Sequence, residues 1–205
     1  MKAMRFDTRG ALRIRTALAL SAVAMLAGCI SIGGKPPEKL LTLTATGTAP
    51  AGTGATGSET SAITLVEFEA PARLDVLRVP VQINDSELAY LKDATWVERP
   101  SRLFRRLVAE TLRAQTSRVV IDGDDPGVVA TTRLTGVVRE FGYDARTSSV
   151  VVRFDAIRMD GEGAGVTTRR FEAVVAGVAA ESGPVGEALN QAANQVAGEV
   201  AAWAL

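Results

Sequence analysis

Three runs rich in β-branched residues, 132–141, 149–159 and 166–175, are joined by connections too short for anything but turns. Residues 143–148 separate the first two, and an Asp160-Gly161 turn signal follows the second. Strands joined this closely must run antiparallel, because a parallel return needs a crossover of a dozen or so residues. Val150, Val152, Phe154 and Ala156 fall on one strand face, as do Phe171, Ala173 and Val175. Leu134, Gly136 and Val138 lose that phase before Phe141. A bulge near Arg139-Glu140 returns Phe141 to the core side. Two shorter stretches, 63–66 and 74–81, also read as strands.

A meander with one apolar face needs a cover, and the chain supplies two amphipathic helices. Between Pro100 and Ala114, Leu103, Phe104, Leu107, Val108 and Leu112 share one face, while Arg102, Arg105, Arg106 and Glu110 fall largely on the other. A last helix begins near Ser182-Gly183-Pro184 and carries Val185, Leu189, Ala192, Val196, Val200 and Trp203 at helical spacing. The expected class is α+β: a two-layer sandwich, its sheet mostly antiparallel, with two main helices packed on one face.

The first 28 residues have a different character. Lys2, Arg5, Arg9, Arg13 and Arg15 precede an apolar run at 17–26, followed by Ala27-Gly28-Cys29. That is the layout of a cleaved signal peptide, since a spanning helix takes about 20 apolar residues. Leu26-Ala27-Gly28-Cys29 resembles the bacterial lipobox. There Leu26, Ala27 and Gly28 are read by the signal peptidase, and the thiol receives diacylglycerol, with palmitate among the expected acyl chains. Cys29 is the only cysteine in the chain, and a lone secreted thiol calls for such a role. Residues 29–61 are expected to be a lipidated terminus, tether and low-complexity linker, with a candidate strand at 40–46. Residues 47–61, almost all Gly, Ala, Thr and Ser, cannot bury a core. That leaves 62–205 as one domain.

Charge and residue type exclude whole classes of function. The sequence has 23 basic and 23 acidic residues, and removing the first 28 leaves 18 against 22. Only Lys35, Lys39 and Lys92 remain as lysines, so the clustered cations that neutralise nucleic-acid phosphates are missing. There is no histidine, and the one thiol is assigned to lipid. Ser-His and Cys-His catalysis and His- or Cys-based metal sites drop out, and no enzyme activity or cofactor beyond the covalent lipid is expected. A carboxylate pair at Asp155 and Glu172, or the Asp-rich turn containing Asp124, is the remaining enzymatic alternative. Arg153, Arg169 and Arg170 nearby favour cross-strand ion pairs instead. Trp203 continues a helix stripe and belongs to the core, whereas Trp96, with Tyr90, is the candidate partner interface.

Several strings, in order, resemble the ABC-type transport auxiliary lipoproteins associated with lipid transporters of the mammalian-cell-entry type. They are the lipobox, Leu41-Thr42-Leu43, Tyr90-Leu91-Lys92, Trp96 to Pro100, Leu103 to Leu107, Leu134-Thr135-Gly136, Arg169 to Glu172, and Ala188 to Ala197 ahead of Trp203. The resemblance implies a non-enzymatic accessory whose partners are the permease, ATPase and substrate-binding subunits of a phospholipid transporter. Ile30 stands where an inner-membrane retention signal would place Asp, which implies the outer membrane, periplasmic face. An assembly lipoprotein for a barrel or secretin is the alternative.

Overall fold

The computed structural model describes residues 39–57, 62–123, 130–161 and 165–205. They contain seven strands and two helices: β1 Ile63–Glu69, β2 Arg78–Gln82, β3 Leu88–Thr95, α1 Pro100–Gln115, β4 Val120–Asp122, β5 Thr132–Asp144, β6 Ser149–Asp160, β7 Val166–Ala176 and α2 Ser182–Ala204. Both helices lie on one face of a single mixed sheet, the expected α+β sandwich.

The antiparallel meander β5-β6-β7 is the backbone of the sheet, paired along nearly its whole length. Its register shifts between Val138 and Glu140, so the bulge falls where the lost phase demanded it. Val138 and Phe141 are both fully buried as a result. The other edge of β5 is shared: β1 runs parallel to its first half and β2 parallel to its last two residues. A second irregularity, between Leu65 and Phe68, turns both of those side chains inward although they are three residues apart.

The parallel pairings were not legible in the sequence, because β1 and β2 reach β5 across most of the domain. The expected strand at 74–81 begins only at Arg78. Before it, the Leu74 and Asp75 N–H groups both donate to the Pro71 carbonyl, closing a turn that buries Leu74. β3 was missed because it lacks alternation: it is an edge strand, mostly exposed, interrupted where Asp93 takes a φ of 54°. β4 has only three residues and no pattern to read.

Pro100 starts α1 at a position where its missing N–H is no loss. The helix buries the five expected apolar residues over β1 and β4. Phe104 lies between Phe68, Phe141 and Phe154, with ring centroids 5.3–6.1 Å away. In α2, Ala188, Ala192, Ala193, Ala197 and Ala201 are buried and let the helix lie close on β6 and β7. Trp203 ends the stripe half-buried, edge-on to Phe171 at 5.7 Å, and Arg158 donates to its carbonyl at the helix C-terminus.

The candidate strand at 40–46 contributes one parallel bridge, Leu41 to Trp96. Beyond it the segment is held by side chains of α2 instead of by a sheet ladder. The Thr44 N–H donates to Asn190 Oδ1 at 2.8 Å, the Thr46 N–H to Asn194 Oδ1 at 2.9 Å, and Asn194 Nδ2 donates back to the Thr44 carbonyl. Two asparagines four residues apart on a helix thus mimic a strand edge, which no strand propensity would disclose.

Candidate functional site

Leu26, Ala27, Gly28 and Cys29, the residues of the lipid attachment, lie outside the described residues, as does Asp124. Among the described residues no helix is long and apolar enough to cross a membrane, and no group of three or more acidic or cysteine side chains is placed to hold a metal.

The face of the sheet away from the helices carries the carboxylates. Asp155 pairs in register with Arg170, and Arg153 with Glu172. Arg170 donates through Nε and Nη2 to the two oxygens of Asp155 at 2.6 and 2.9 Å, and Arg139 Nε donates at 2.8 Å. Those hydrogen bonds, chiefly from Arg170, hold the Asp155 carboxyl down at a pKa of about 2 despite partial burial. Glu172 receives Arg153 Nε, and Arg73 chelates Glu140 through two nitrogens at 3.0 and 2.9 Å. Arg73 also donates to the Arg139 carbonyl at 2.6 Å, tying the 71–77 turn to the β5 bulge. A general acid needs its proton retained near neutral pH, whereas Asp155 is kept ionised with both oxygens engaged. The cross-strand ion pairs expected for this face are what the geometry contains.

A shallow groove of about 300 Å³ opens beside this network, lined by Arg73, Arg146 and Arg153 against Asp85, Glu140 and Asp144. Its charges are balanced, and Arg146 binds both Asp144 and Asp85. Asp122, at the start of the Asp-rich turn, pairs with Arg105 of α1 at 3.0 Å.

Trp96 requires a correction. It is 1% exposed, edge-on to Phe141 at 5.6 Å and 68°, and so is not available as a surface anchor for a partner. The bridge to Leu41 and the Trp96 N–H bond to the Leu77 carbonyl turn the ring inward. From sequence, a tryptophan just ahead of a helix offered no sign that residues 41 and 77 would close over it. Tyr90 stays half-buried on the edge strand β3, with the Arg78 guanidinium 4.3 Å above its ring.

The family model for the ABC-type transport auxiliary lipoprotein component matches residues 41–201, from the Leu41 bridge to the last turn of α2. The chain belongs to that family. Membership makes it a lipoprotein auxiliary to ABC-type transport, membrane-anchored on the periplasmic side. The fold is shared with a crystal structure of a protein from Xanthomonas campestris, at a TM-score of 0.66 and 17% identity, covering 80% of this chain and 94% of that one. A second crystal structure, of an uncharacterized protein, aligns at a TM-score of 0.61 and 13% identity, covering 80% and 99%. No curated protein matches the chain.

Proposed function

We propose that this auxiliary lipoprotein serves phospholipid transport between the inner and outer membranes, as a docking or handover module held by lipid on Cys29 at the periplasmic face of the outer membrane. The family match over 41–201 carries the reading, because it covers nearly all of the described body, from the Leu41 bridge to the last turn of α2. The permease, ATPase and substrate-binding subunits are separate chains, and this one contributes no chemistry of its own. The absence of histidine and the Arg-locked state of Asp155 support a non-enzymatic role with no cofactor beyond the covalent lipid. Ile30, in place of an aspartate after the lipidated cysteine, supports the outer membrane.

The partner interface then falls to surface other than Trp96, and Tyr90 on the edge strand β3 remains its candidate. An edge strand offers unpaired backbone groups as well as a side chain. The test is affinity isolation of the tagged lipoprotein from detergent-solubilised membranes, followed by identification of what accompanies it. Permease, ATPase or substrate-binding subunits of one transporter are expected. Isolation with barrel-assembly or secretin components in their place would overturn the assignment.

A further inference from the structure

Single exposed apolar side chains are ordinary on any protein surface, but clustered ones mark contact sites. Eight large apolar residues are exposed among those described, and three of them, Leu40, Leu77 and Val97, stand on segments whose backbones are hydrogen-bonded to one another. The Leu41 N–H donates to the Thr95 carbonyl at 2.8 Å, the Val97 N–H to the Leu41 carbonyl at 2.9 Å, and the Trp96 N–H to the Leu77 carbonyl at 2.7 Å. Segments 40–42, 95–97 and 77–78 are therefore adjacent rows, and each exposed residue lies within one position of the atoms that join them. Leu40 is 49%, Leu77 44% and Val97 53% exposed.

The surroundings of these rows are basic. Lys39, Arg78, Lys92, Arg99, Arg102 and Arg106 lie beside them in the chain, against Glu38, Asp75, Asp93 and Glu98; Lys92 lies 4.0 Å from Asp93. Asp75 pairs with Arg99 at 3.2 Å, and Glu98 is shared between Arg102 and Arg106. Lys39 and Arg78 have no carboxylate partner among the described residues. Apolar side chains with an excess of cations beside them match the boundary of a bilayer, where the former enter the acyl region and the latter meet anionic headgroups. Lys39 is also where the folded body joins the chain leading back to Cys29, ten residues earlier, a distance of at most about 36 Å when fully extended.

We infer that Leu40, Leu77 and Val97, with Lys39 and Arg78, form a membrane-contact patch that seats the body on the anionic surface of the bilayer holding its anchor. The inference rests on the lipid-anchor reading, and its occupant is the lipid surface. A tether alone would leave the body free to tumble; the patch fixes which side faces the lipid.

The lipidated full-length protein gives a direct test, because its only native thiol is consumed by lipid and an introduced cysteine can be labelled alone. Leu77→Cys, Val97→Cys, Val166→Cys and Val174→Cys are each coupled to an environment-sensitive fluorophore. They are then reconstituted into phosphatidylcholine–phosphatidylglycerol vesicles carrying a nitroxide-labelled lipid. Val166 and Val174, on the free-edged strand β7, are 66% and 54% exposed and serve as the distant controls. Quenching at 77 and 97 should exceed that at 166 and 174 severalfold. Seating should weaken about fivefold for each cation removed in Lys39→Gln and Arg78→Gln. Equal quenching at the two pairs of positions would overturn the proposal and leave the patch to a protein partner. Failure of the anchor reading looks different: the protein would not enter the vesicles, and Cys29 would itself take the label.

Discussion

Trp96→Ala separates a core residue from a docking residue. The indole is 1% exposed and packs edge-on against Phe141, so its removal leaves a hole in the core beside that ring. Truncating a buried tryptophan costs about 3–5 kcal/mol, transfer and cavity effects together. For a body of this size about 1 kcal/mol moves the melting temperature by roughly 2–4 °C, so the variant should melt about 6–20 °C below the wild type. A domain with about 5–15 kcal/mol of stability still folds after such a loss, which keeps the measurement possible. Thermal unfolding by circular dichroism is the assay, with Tyr90→Ala beside it. Tyr90 is half-buried and its stacking with Arg78 is worth about 0.5–1 kcal/mol, so that variant should melt within a few degrees of the parent. A Trp96→Ala melting curve superimposable on the wild type would refute the buried placement.

Three other perturbations probe different parts of the structure. Asp155 has its carboxyl pKa lowered in the folded state, so its ion pairs stabilise the fold above the ordinary carboxylate range and the contribution fades as pH falls through about 2. Urea unfolding should therefore show Asp155→Asn weaker than wild type near neutral pH and the gap closing in strong acid; a gap that widens in acid would contradict this. Gly136→Ala places a methyl group against the Asp155 carbonyl and 2.5 Å from Phe154 Cζ, both fixed in the sheet and core, and should cost about 1–3 kcal/mol or more in denaturant titration. An unchanged midpoint would mean the strands are less closely packed there. Asn190→Ala with Asn194→Ala removes the hydrogen bonds that hold 44–46, each worth about 0.5–1.5 kcal/mol. Amide exchange at Thr44 and Thr46 should quicken about tenfold, the factor for about 1.4 kcal/mol, with exchange in the β5-β6-β7 meander unaffected.

What the sequence disclosed was whatever local pattern encodes. The meander, its bulge and both helices follow from periods of two and 3.6 residues and from the single break in phase before Phe141. The cross-strand ion pairs of Asp155 and Glu172 could be anticipated because short turns fix which strands are neighbours. Hidden were the contacts made between distant parts of the chain: β1 and β2 sharing one edge of β5, the Arg73 clamp on Glu140, and the asparagine ladder that gathers residues 44–46 onto α2. The error over Trp96 has the same origin. An aromatic residue in a short irregular segment looks exposed until the segments that cover it, at 41 and 77, are known to return there. The proposed membrane-contact patch was equally invisible, since Leu40, Leu77 and Val97 are remote in sequence and their segments join only through that closure.

The central claim is that acyl chains on Cys29 hold a body without chemistry of its own at a membrane. Intact-mass and peptide mass spectrometry of the protein extracted from membranes addresses it directly. The account predicts a chain beginning at Cys29 and carrying a diacylglycerol thioether. A free thiol at that position, with the preceding 28 residues still attached, would contradict it.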